Sequence, residues 1–212
     1  MLHLETIDPP TLELLKRIMQ IPEFSGVNLV GGTSLALQIG HRKSIDLDLF
    51  GQVDLDDYQY TTVLKPFESV RLINRTINIK TFLINQIKVD FVNYPYAWLQ
   101  PCQTIDGIRL AARSDIAAMK MAAITGRGTK KDFIDIVALL DEFSLENMLR
   151  FYRQKFPDGS EFMVLKSLTY FEDAEGEQAP VMLKKMDWAA VKRRVITETK
   201  NYLDSRAGQS GH

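Results

Sequence analysis

Cysteine is nearly absent from this chain of 212 residues, which contains only Cys102. A single cysteine excludes an intrachain disulfide framework and a zinc site built from several cysteines, and it is typical of a protein from a reducing compartment. The histidines, His3, His41 and His212, are too scattered to suggest a zinc site, and none lies in an HExxH motif. We therefore expect Cys102 to be a structural thiol and not a nucleophile.

Long hydrophobic runs and an excess of charge are also missing. No run reaches the roughly 18 apolar residues that a membrane-spanning helix needs, and the N-terminus, MLHLETIDPPTLELLKRIMQ, carries acids and lacks a long apolar segment. The 26 Lys and Arg residues nearly balance 27 Asp and Glu residues, for a net charge of -1. These features predict a soluble, cytoplasmic protein with no membrane partner, in which any nucleic-acid contact depends on a local basic patch.

Three widespread sequence signatures do not occur in the chain: GxxxxGK[ST], GxGxxG and GxSxG. Their absence argues against a P-loop ATPase or kinase, a dinucleotide-binding enzyme and a serine hydrolase, respectively. The function must be sought in other motifs.

The pattern of the first half predicts a mixture of strands and helices. Apolar spacing predicts helices over residues 11–20, 33–40 and 54–65, and strands at VNLV, SIDLDLF, RLINRT, NIKTFLIN and IKVDFVNY, with a turn near Asn85-Gln86. We expect an α+β fold in which residues 1–105 form a mixed β-sheet core with flanking helices.

The second half has a helical pattern from about Asp106 onward. SDIAAMKMAAITGRG and TKKDFIDIVALLDEF open with capping residues, and further helices are predicted from Ser144, Ser160 and Asp187. EDAEGEQAP at 172–180 is predicted to be a surface loop, and SRAGQSGH at 205–212 a frayed tail. We expect residues 106–212 to form a mainly helical region packed on the core.

Two aspartates, Asp46 and Asp48, lie in the predicted strand SIDLDLF, where Ile45, Leu47 and Leu49 face the other way. Aspartate is depleted in strands because its charged side chain does not tolerate desolvation. Two explanations fit the pair equally well: an exposed or edge strand whose charges prevent aggregation, and a functional site. The functional alternative is metal binding, since carboxylates at i and i+2 share one face and can converge on Mg²⁺ or Mn²⁺.

A glycine-containing segment, Gly31-Gly32-Thr33-Ser34, precedes the two aspartates at a predicted strand-to-helix turn. The first N–H groups of a helix have no intrahelical acceptor, glycines let the backbone approach a phosphate, and hydroxyls can donate to it. Such turns usually only steer the chain. Beside the DxD pair, however, the segment predicts one element that holds phosphates next to one that holds metals.

A third carboxylate is expected if two metal ions are used. Asp90 is the candidate, because it lies in the apolar strand IKVDFVNY with Ile87, Val89 and Phe91 on the opposite face. Taken alone, Asp90 is better interpreted as a solvent-facing strand residue. The DxD pair favours the functional interpretation.

Two blocks of the sequence resemble a known family. GGTSLALQIGHRKSIDLDLF resembles the motif of the AbiEii/AbiGii-type nucleotidyltransferase toxins, a branch of the polymerase-β-like nucleotidyltransferase superfamily, in its GG[T/S], LAL helix, GHR turn and Ser before the DxD. SDIAAMKMAAITGRGTKKDFIDIVALL resembles the family's lysine-bearing helix, basic turn and KDxxD-type helix. Together with Asp90, the resemblance spans about residues 29–140.

The resemblance implies a nucleotidyltransferase-like fold for the mixed β-sheet core of residues 1–105. It also implies a metal-dependent enzyme that moves a nucleoside monophosphate from an NTP to an acceptor, with pyrophosphate leaving. Asp46 and Asp48 would bind Mg²⁺ or Mn²⁺, and Asp90 would complete the ligand set and orient or deprotonate the nucleophile. The segment from Gly31 through Gly32 and Thr33 to Ser34 would hold the triphosphate. Lys120 and Asp132 match the lysine and aspartate of the family's later motifs, and Lys120 could bind a phosphate.

Weaker or alternative assignments concern Ser44, Lys120 and Asp135. Ser44 matches a position that is a regulatory modification site in some members of the family. On sequence alone, Lys120 is better interpreted as a helix lysine that extends to solvent. Asp135 is interpreted as a surface residue paired with Lys131 or Arg127.

The expected partners follow from the resemblance. The chain would be the toxin of a type IV toxin–antitoxin or phage-defence pair, with a cognate antitoxin and an RNA acceptor such as a tRNA end. GGTS in place of Gly-Ser argues against antibiotic adenylyltransferases. A basic run, Lys184-Lys185 with Lys192-Arg193-Arg194, could contact RNA phosphates, although such faces are usually only solvated.

Two alternatives remain open. One is a nucleotidyltransferase that modifies a protein or a small molecule. The other is a catalytically silent nucleotide-binding module, against which the intact Asp46, Asp48 and Asp90 argue.

Overall fold

A computed structural model describes residues 1–209 of the chain, so that His212 and the end of the predicted tail lie outside the described residues. The chain divides into two compact units, Met1–Ala112 and a second unit that starts at Arg113. Within the described range, none of the helices combines the length and the apolar character needed to cross a bilayer.

The first unit is built on a mixed sheet with seven strands in its described residues, in the order β3-β4-β5-β2-β1-β7-β6. The pairs β2–β5 and β1–β7 are parallel, and the other pairs are antiparallel. The strands are β1 (Val27–Leu29), β2 (Leu47–Gly51), β3 (Val70–Arg75), β4 (Ile79–Ile84), β5 (Ile87–Asn93), β6 (Gln103–Ile105) and β7 (Ile108–Leu110).

One face of this sheet carries the core of the first unit. Because side chains alternate along a strand, Leu47 and Leu49 of β2 and Val89 and Phe91 of β5 are buried on the same face. Phe91 stacks on Phe24 with 4.5 Å between ring centroids. The helices of this unit are α1 (Pro9–Met19), α2 (Gly31–Ile39) and α3 (Asp57–Leu64), with single 3-10 turns at Leu4–Thr6 and Pro22–Phe24. The opposite face of β2 and β5 is left for Asp48 and Asp90.

The second unit is helical. Its helices are α4 (Arg113–Arg127), α5 (Lys130–Leu140), α6 (Leu145–Lys155), α7 (Glu161–Leu168), α8 (Glu172–Glu175) and α9 (Trp188–Gln209). The side chains of Thr129, Ser144 and Ser160 accept hydrogen bonds from backbone N–H groups in the first turns of α5, α6 and α7, as the capping residues predicted. The predicted α+β fold, with a mixed sheet followed by a helical C-terminal part, is confirmed.

Three local predictions were wrong. Ile45 was assigned to the strand's buried face, but β2 begins at Leu47 and Ile45 is 62% exposed. The segment 172–180 begins as α8, and its Glu177 carboxylate accepts a hydrogen bond of 2.7 Å from the backbone N–H of Lys130. Residues 205–209 continue α9 and are not frayed.

One hairpin was not predicted. β6 and β7 have three residues each and are joined by Asp106 and Gly107, which both have positive φ. Strands this short contain too few residues to show a period of two. The sheet therefore extends to Leu110, beyond the predicted end of the core at residue 105.

Candidate active site

Asp48 and Asp90 are direct neighbours on adjacent parallel strands. The register of β2 and β5 pairs Leu47 with Val89 and Asp48 with Asp90. Paired residues on neighbouring strands lie about 4.8 Å apart and point to the same face. Asp46 immediately precedes β2 and is two residues from Asp48. Folding therefore gathers the predicted acidic residues at one place, on the face opposite the core.

The first turn of α2 lies against Asp48. Gly31 and Gly32 are themselves the first two residues of the helix, which the sequence had suggested starts at Thr33. Gly31 has a φ of +66°, and a Cβ at this position would collide with the Asp48 carboxylate. The backbone N–H of Val30 donates a hydrogen bond of 2.9 Å to the carbonyl of Asp48. A residue with a side chain at position 31 would therefore disturb both the turn and the carboxylate.

The hydroxyls of Thr33 and Ser34 are buried. Thr33 Oγ1 donates to the backbone carbonyl of Asp46 and lies 2.8 Å from Ser44 Oγ, while Ser34 Oγ accepts a hydrogen bond of 3.1 Å from Gln38. These hydroxyls tie α2 to the segment before β2. The predicted regulatory modification of Ser44 stays a prediction.

Lys88 is a site residue that sequence reasoning missed. It lies two residues before Asp90 on the same face of β5, and its Nζ is 2.5 Å from Asp90 Oδ2. The signal was present in the IKVD stretch, where a lysine shares the face of the acid, but lysines in strands are common at solvent-facing positions. The other oxygen, Asp90 Oδ1, is buried and has no hydrogen-bond partner among the described residues.

The pKa of Lys88 depends on all three acidic residues, Asp46, Asp48 and Asp90. Partial burial acts to lower the pKa of Lys88, but the hydrogen bond that Lys88 donates to Asp90 and the negative charges of Asp90, Asp48 and Asp46 outweigh it and raise that pKa. Lys88 therefore places a positive charge beside the three carboxylates of the cluster.

A groove of about 440 Å³ opens beside these residues. Asp48, Lys88 and Asp90 line it, together with Asn74, Thr81 and several apolar side chains. Those apolar side chains are Phe50, Ile73, Ile79 and Val92. The volume lies in the range of small-molecule pockets, which spans about 300 to 1,000 Å³.

The second unit brings together the predicted residues Lys120 and Asp132. Lys120 Nζ lies 2.7 Å from Asp132 Oδ1 and 2.7 Å from Asp135 Oδ2. The interpretation of Asp135 as a surface residue was wrong, because it is fully buried and pairs with Lys120 from α4. Lys120 is buried as well and does not extend to solvent.

Asp132 has a second role at the start of α5. Its Oδ2 accepts hydrogen bonds from the backbone N–H and the hydroxyl of Thr129, at 3.1 and 2.6 Å. Burial acts to lower the pKa of Lys120, but the charges and hydrogen bonds of Asp135 and Asp132 overcome this and raise it. Lys120 is therefore held as an ammonium group in a fixed position.

The residues of the first unit can be tested for their fit to a divalent metal. Among residues 1–209, no group of three or more His, Cys, Asp or Glu side chains is arranged to hold a metal ion. The chemistry nevertheless fits, because carboxylate oxygens are the ligands that Mg²⁺ prefers. The buried Asp90 Oδ1 also has no hydrogen-bond partner among the described residues, as expected of an atom that binds a cation.

A family model described as the nucleotidyl transferase AbiEii toxin of type IV toxin–antitoxin systems matches residues 13–206. The chain belongs to this family. It is a nucleotidyltransferase, and the resemblance found in its two sequence blocks is confirmed. Membership in a toxin family of type IV systems implies an NTP substrate and an antitoxin partner.

Similar proteins cover nearly the whole chain of this family member. An uncharacterized protein of Aquifex aeolicus (strain VF5) is 31% identical over 199 residues, which are 91% of this chain and 96% of the relative. JHP933 from Helicobacter pylori has a similar structure, with a TM-score of 0.60 and 16% identity over 96% of each chain. MenT4, a nucleotidyltransferase toxin from Mycobacterium tuberculosis, has a TM-score of 0.56 and 17% identity, over 88% of this chain and 82% of its own. The two structures share the fold.

Proposed function

We propose that this chain transfers a nucleoside monophosphate from an NTP to a hydroxyl group of an RNA such as a tRNA, with Mg²⁺ or Mn²⁺ as cofactor. In this proposal it acts in the cytoplasm as the toxin of a type IV toxin–antitoxin or phage-defence pair, beside a cognate antitoxin. The observation that carries the proposal is the pairing of Asp48 with Asp90 next to the first turn of α2. A carboxylate pair beside a helix N-terminus suits phosphoryl chemistry, since it places cation ligands next to an anion-binding turn.

The carboxylates and the helix have separate roles. Asp46, Asp48 and Asp90 would hold the divalent cations, which when bound neutralise the charge that develops on the phosphates. Asp90 orients or deprotonates the attacking hydroxyl. The backbone N–H groups of Gly31, Gly32 and Thr33 bind the triphosphate, while the buried Ser34 hydroxyl braces the helix through Gln38.

The residues of the second unit complete the proposal. Lys120 binds a phosphate, and Asp132 orients its ammonium group through the hydrogen bond of 2.7 Å. A lysine held between two carboxylates keeps its charge and its position, which favours a role in binding over a role in proton transfer.

The proposed RNA contact rests on part of the basic run. Lys184, Lys185 and Arg193 are exposed. Lys192 pairs with Glu175 at 2.5 Å, and Arg194 pairs with Glu198 at 2.8 Å. Lys184, Lys185 and Arg193 are therefore the ones we assign to RNA phosphates, because Lys192 and Arg194 are already paired with acids.

A labelled-NTP assay tests this function. Each NTP, labelled in its α-phosphate, is incubated with Mg²⁺, total tRNA and the native protein, Asp48→Asn or Asp106→Asn. Asp106→Asn is the matched control, because it removes one negative charge from an exposed turn whose positive φ asparagine also adopts. We expect label in RNA with the native protein and with Asp106→Asn, and none with Asp48→Asn.

Other outcomes would redirect the proposal. Label that enters only an added protein or small molecule would replace the RNA acceptor by that class. Failure of every NTP to bind in the presence of Mg²⁺ would contradict the proposed reaction itself.

A further inference from the structure

We propose that Lys88 is a positioning residue that holds Asp90 by its ammonium group and must be displaced when a divalent cation binds to the carboxylates. This inference rests on the proposed function, because it takes Asp46, Asp48 and Asp90 as the metal ligands. It adds that the affinity of the site for metal is set by competition with a cation that belongs to the chain.

The geometry of β5 supports a direct competition. Lys88 and Asp90 are separated by one residue and share a face of the strand, so that the ammonium group reaches Asp90 Oδ2 at 2.5 Å. A metal ion bound to that oxygen would occupy the position of the ammonium group. Because the two cations share one ligand atom, they exclude each other.

The exposure of the pair supports an exchangeable bridge. The Lys88 side chain is 45% exposed, whereas that of Asp90 is only 16% exposed. The lysine can therefore swing into water at little cost, while the carboxylate stays in place on the sheet.

The charge balance gives the direction of the effect. Asp90, Asp48 and Asp46 all place negative charge within reach of the Lys88 ammonium group. A divalent cation neutralises more of this charge than a lysine does. Removal of Lys88 should therefore tighten the binding of metal and not weaken it.

The test compares metal binding by two lysine variants. The dissociation constant of Mn²⁺, measured by electron paramagnetic resonance without substrates, is determined for the native protein, Lys88→Met and Lys80→Met. Lys80 is the matched control, because it forms a Lys–Asp bridge of 2.7 Å with Asp57 and its register partner Phe91 places it on the opposite face of the same sheet. We expect Mn²⁺ to bind Lys88→Met about tenfold or more tightly than the native protein. Lys80→Met should stay within a factor of about two.

A second measurement follows the lysine directly. The lysines are reductively methylated with isotope-labelled methyl groups, and the Lys88 signal is identified as the one missing from Lys88→Met. Addition of Mg²⁺ should shift the Lys88 signal and leave the Lys80 signal in place.

The inference and the proposed function fail in different ways. Unchanged or weaker Mn²⁺ binding by Lys88→Met, or no Mn²⁺ binding by any form, would overturn the role of Lys88. Tighter binding by Lys88→Met together with no transfer of label to RNA would support the role of Lys88. It would contradict only the proposal that RNA is the acceptor.

Discussion

Two of the clusters in which a lysine meets carboxylates, one in each unit, differ in how open they are. In the first unit, Lys88 is 45% exposed and binds one of three neighbouring acidic residues. In the second, Lys120 is 10% exposed and is held at 2.7 Å by both Asp132 and Asp135. An open cluster can exchange its cation for another, whereas a closed cluster cannot release its lysine without leaving a buried charge unpaired. The same residue types therefore form a replaceable contact in one unit and a fixed one in the other.

Loss of a carboxylate from the open cluster should have its largest effect on activity. Asp90→Asn removes the proposed base, so the rate of nucleotide transfer should fall by about 10² to 10⁴-fold. Single-turnover transfer from labelled NTP measures this rate. Asp106→Asn should keep the native rate, and a rate for Asp90→Asn within about threefold of native would exclude Asp90 from the reaction.

Loss of a carboxylate from the closed cluster should have its largest effect on stability. Asp135→Asn leaves the buried Lys120 with one carboxylate instead of two, so the free energy of unfolding of the second unit should fall by about 3–5 kcal/mol. Urea unfolding followed by Trp188 fluorescence in a Trp98→Phe background reports this unit, because the Trp188 ring lies 5.9 Å from that of Phe133 in α5.

Asp141→Asn provides the comparison for this experiment. Asp141 caps the C-terminus of α5 and is exposed, so that its neutralisation should change stability by less than about 0.5 kcal/mol. If Asp135→Asn is as stable as Asp141→Asn, the second cluster is not the fixed contact described above.

The two clusters show which features of the candidate site could be predicted from the sequence and which could not. Period-two alternation identified the strands of Asp48 and Asp90, since each strand keeps one apolar face. Their pairing depends on the register between strands about 40 residues apart, which no local pattern contains. Asp135 was misassigned because an acid three residues from Asp132 suits an exposed helix face, and only the approach of Lys120 from α4 buries it. The family resemblance named Lys120 and Asp132, but it contained no signal for Lys88.

The contact between Gly31 and Asp48 can be separated from the cost of positive φ alone. Gly31→Ala and Gly107→Ala both place a side chain at positive φ, but only the alanine at position 31 meets a neighbour, the Asp48 carboxylate, whereas the space around Gly107 is open. We expect Gly107→Ala to cost about 1 kcal/mol of unfolding free energy and Gly31→Ala to cost more, up to about 3 kcal/mol. Thermal unfolding and transfer rate are measured for both. A Gly31→Ala variant that matches Gly107→Ala in both would show that α2 does not constrain Asp48.

Alkaline pH should weaken the closed cluster at a defined point. The carboxylates raise the pKa of Lys120 above its ordinary value of 10.5, so the stability it contributes is fully present below pH 10.5 and is lost as pH rises through the raised value. The difference in unfolding free energy between native protein and Lys120→Met should therefore be constant from about pH 7 to pH 10 and shrink only above that range. A difference that already shrinks near pH 8 would mean that Lys120 is not held as an ammonium group.

The smallest effect is expected for the stability of the open cluster. Lys88→Met removes a bridge whose lysine is 45% exposed, so the free energy of unfolding should change by less than about 1 kcal/mol. Chemical unfolding without divalent cations measures this change, with Lys80→Met as the reference for a Lys–Asp bridge on the opposite face of the sheet. The excess of negative charge left by the substitution should be relieved by Mg²⁺, so that Lys88→Met gains more stability from Mg²⁺ than the native protein does. A loss of 3 kcal/mol or more would place Lys88 in the same class as Lys120, because a contact that costs that much to break is not one that a metal ion exchanges readily.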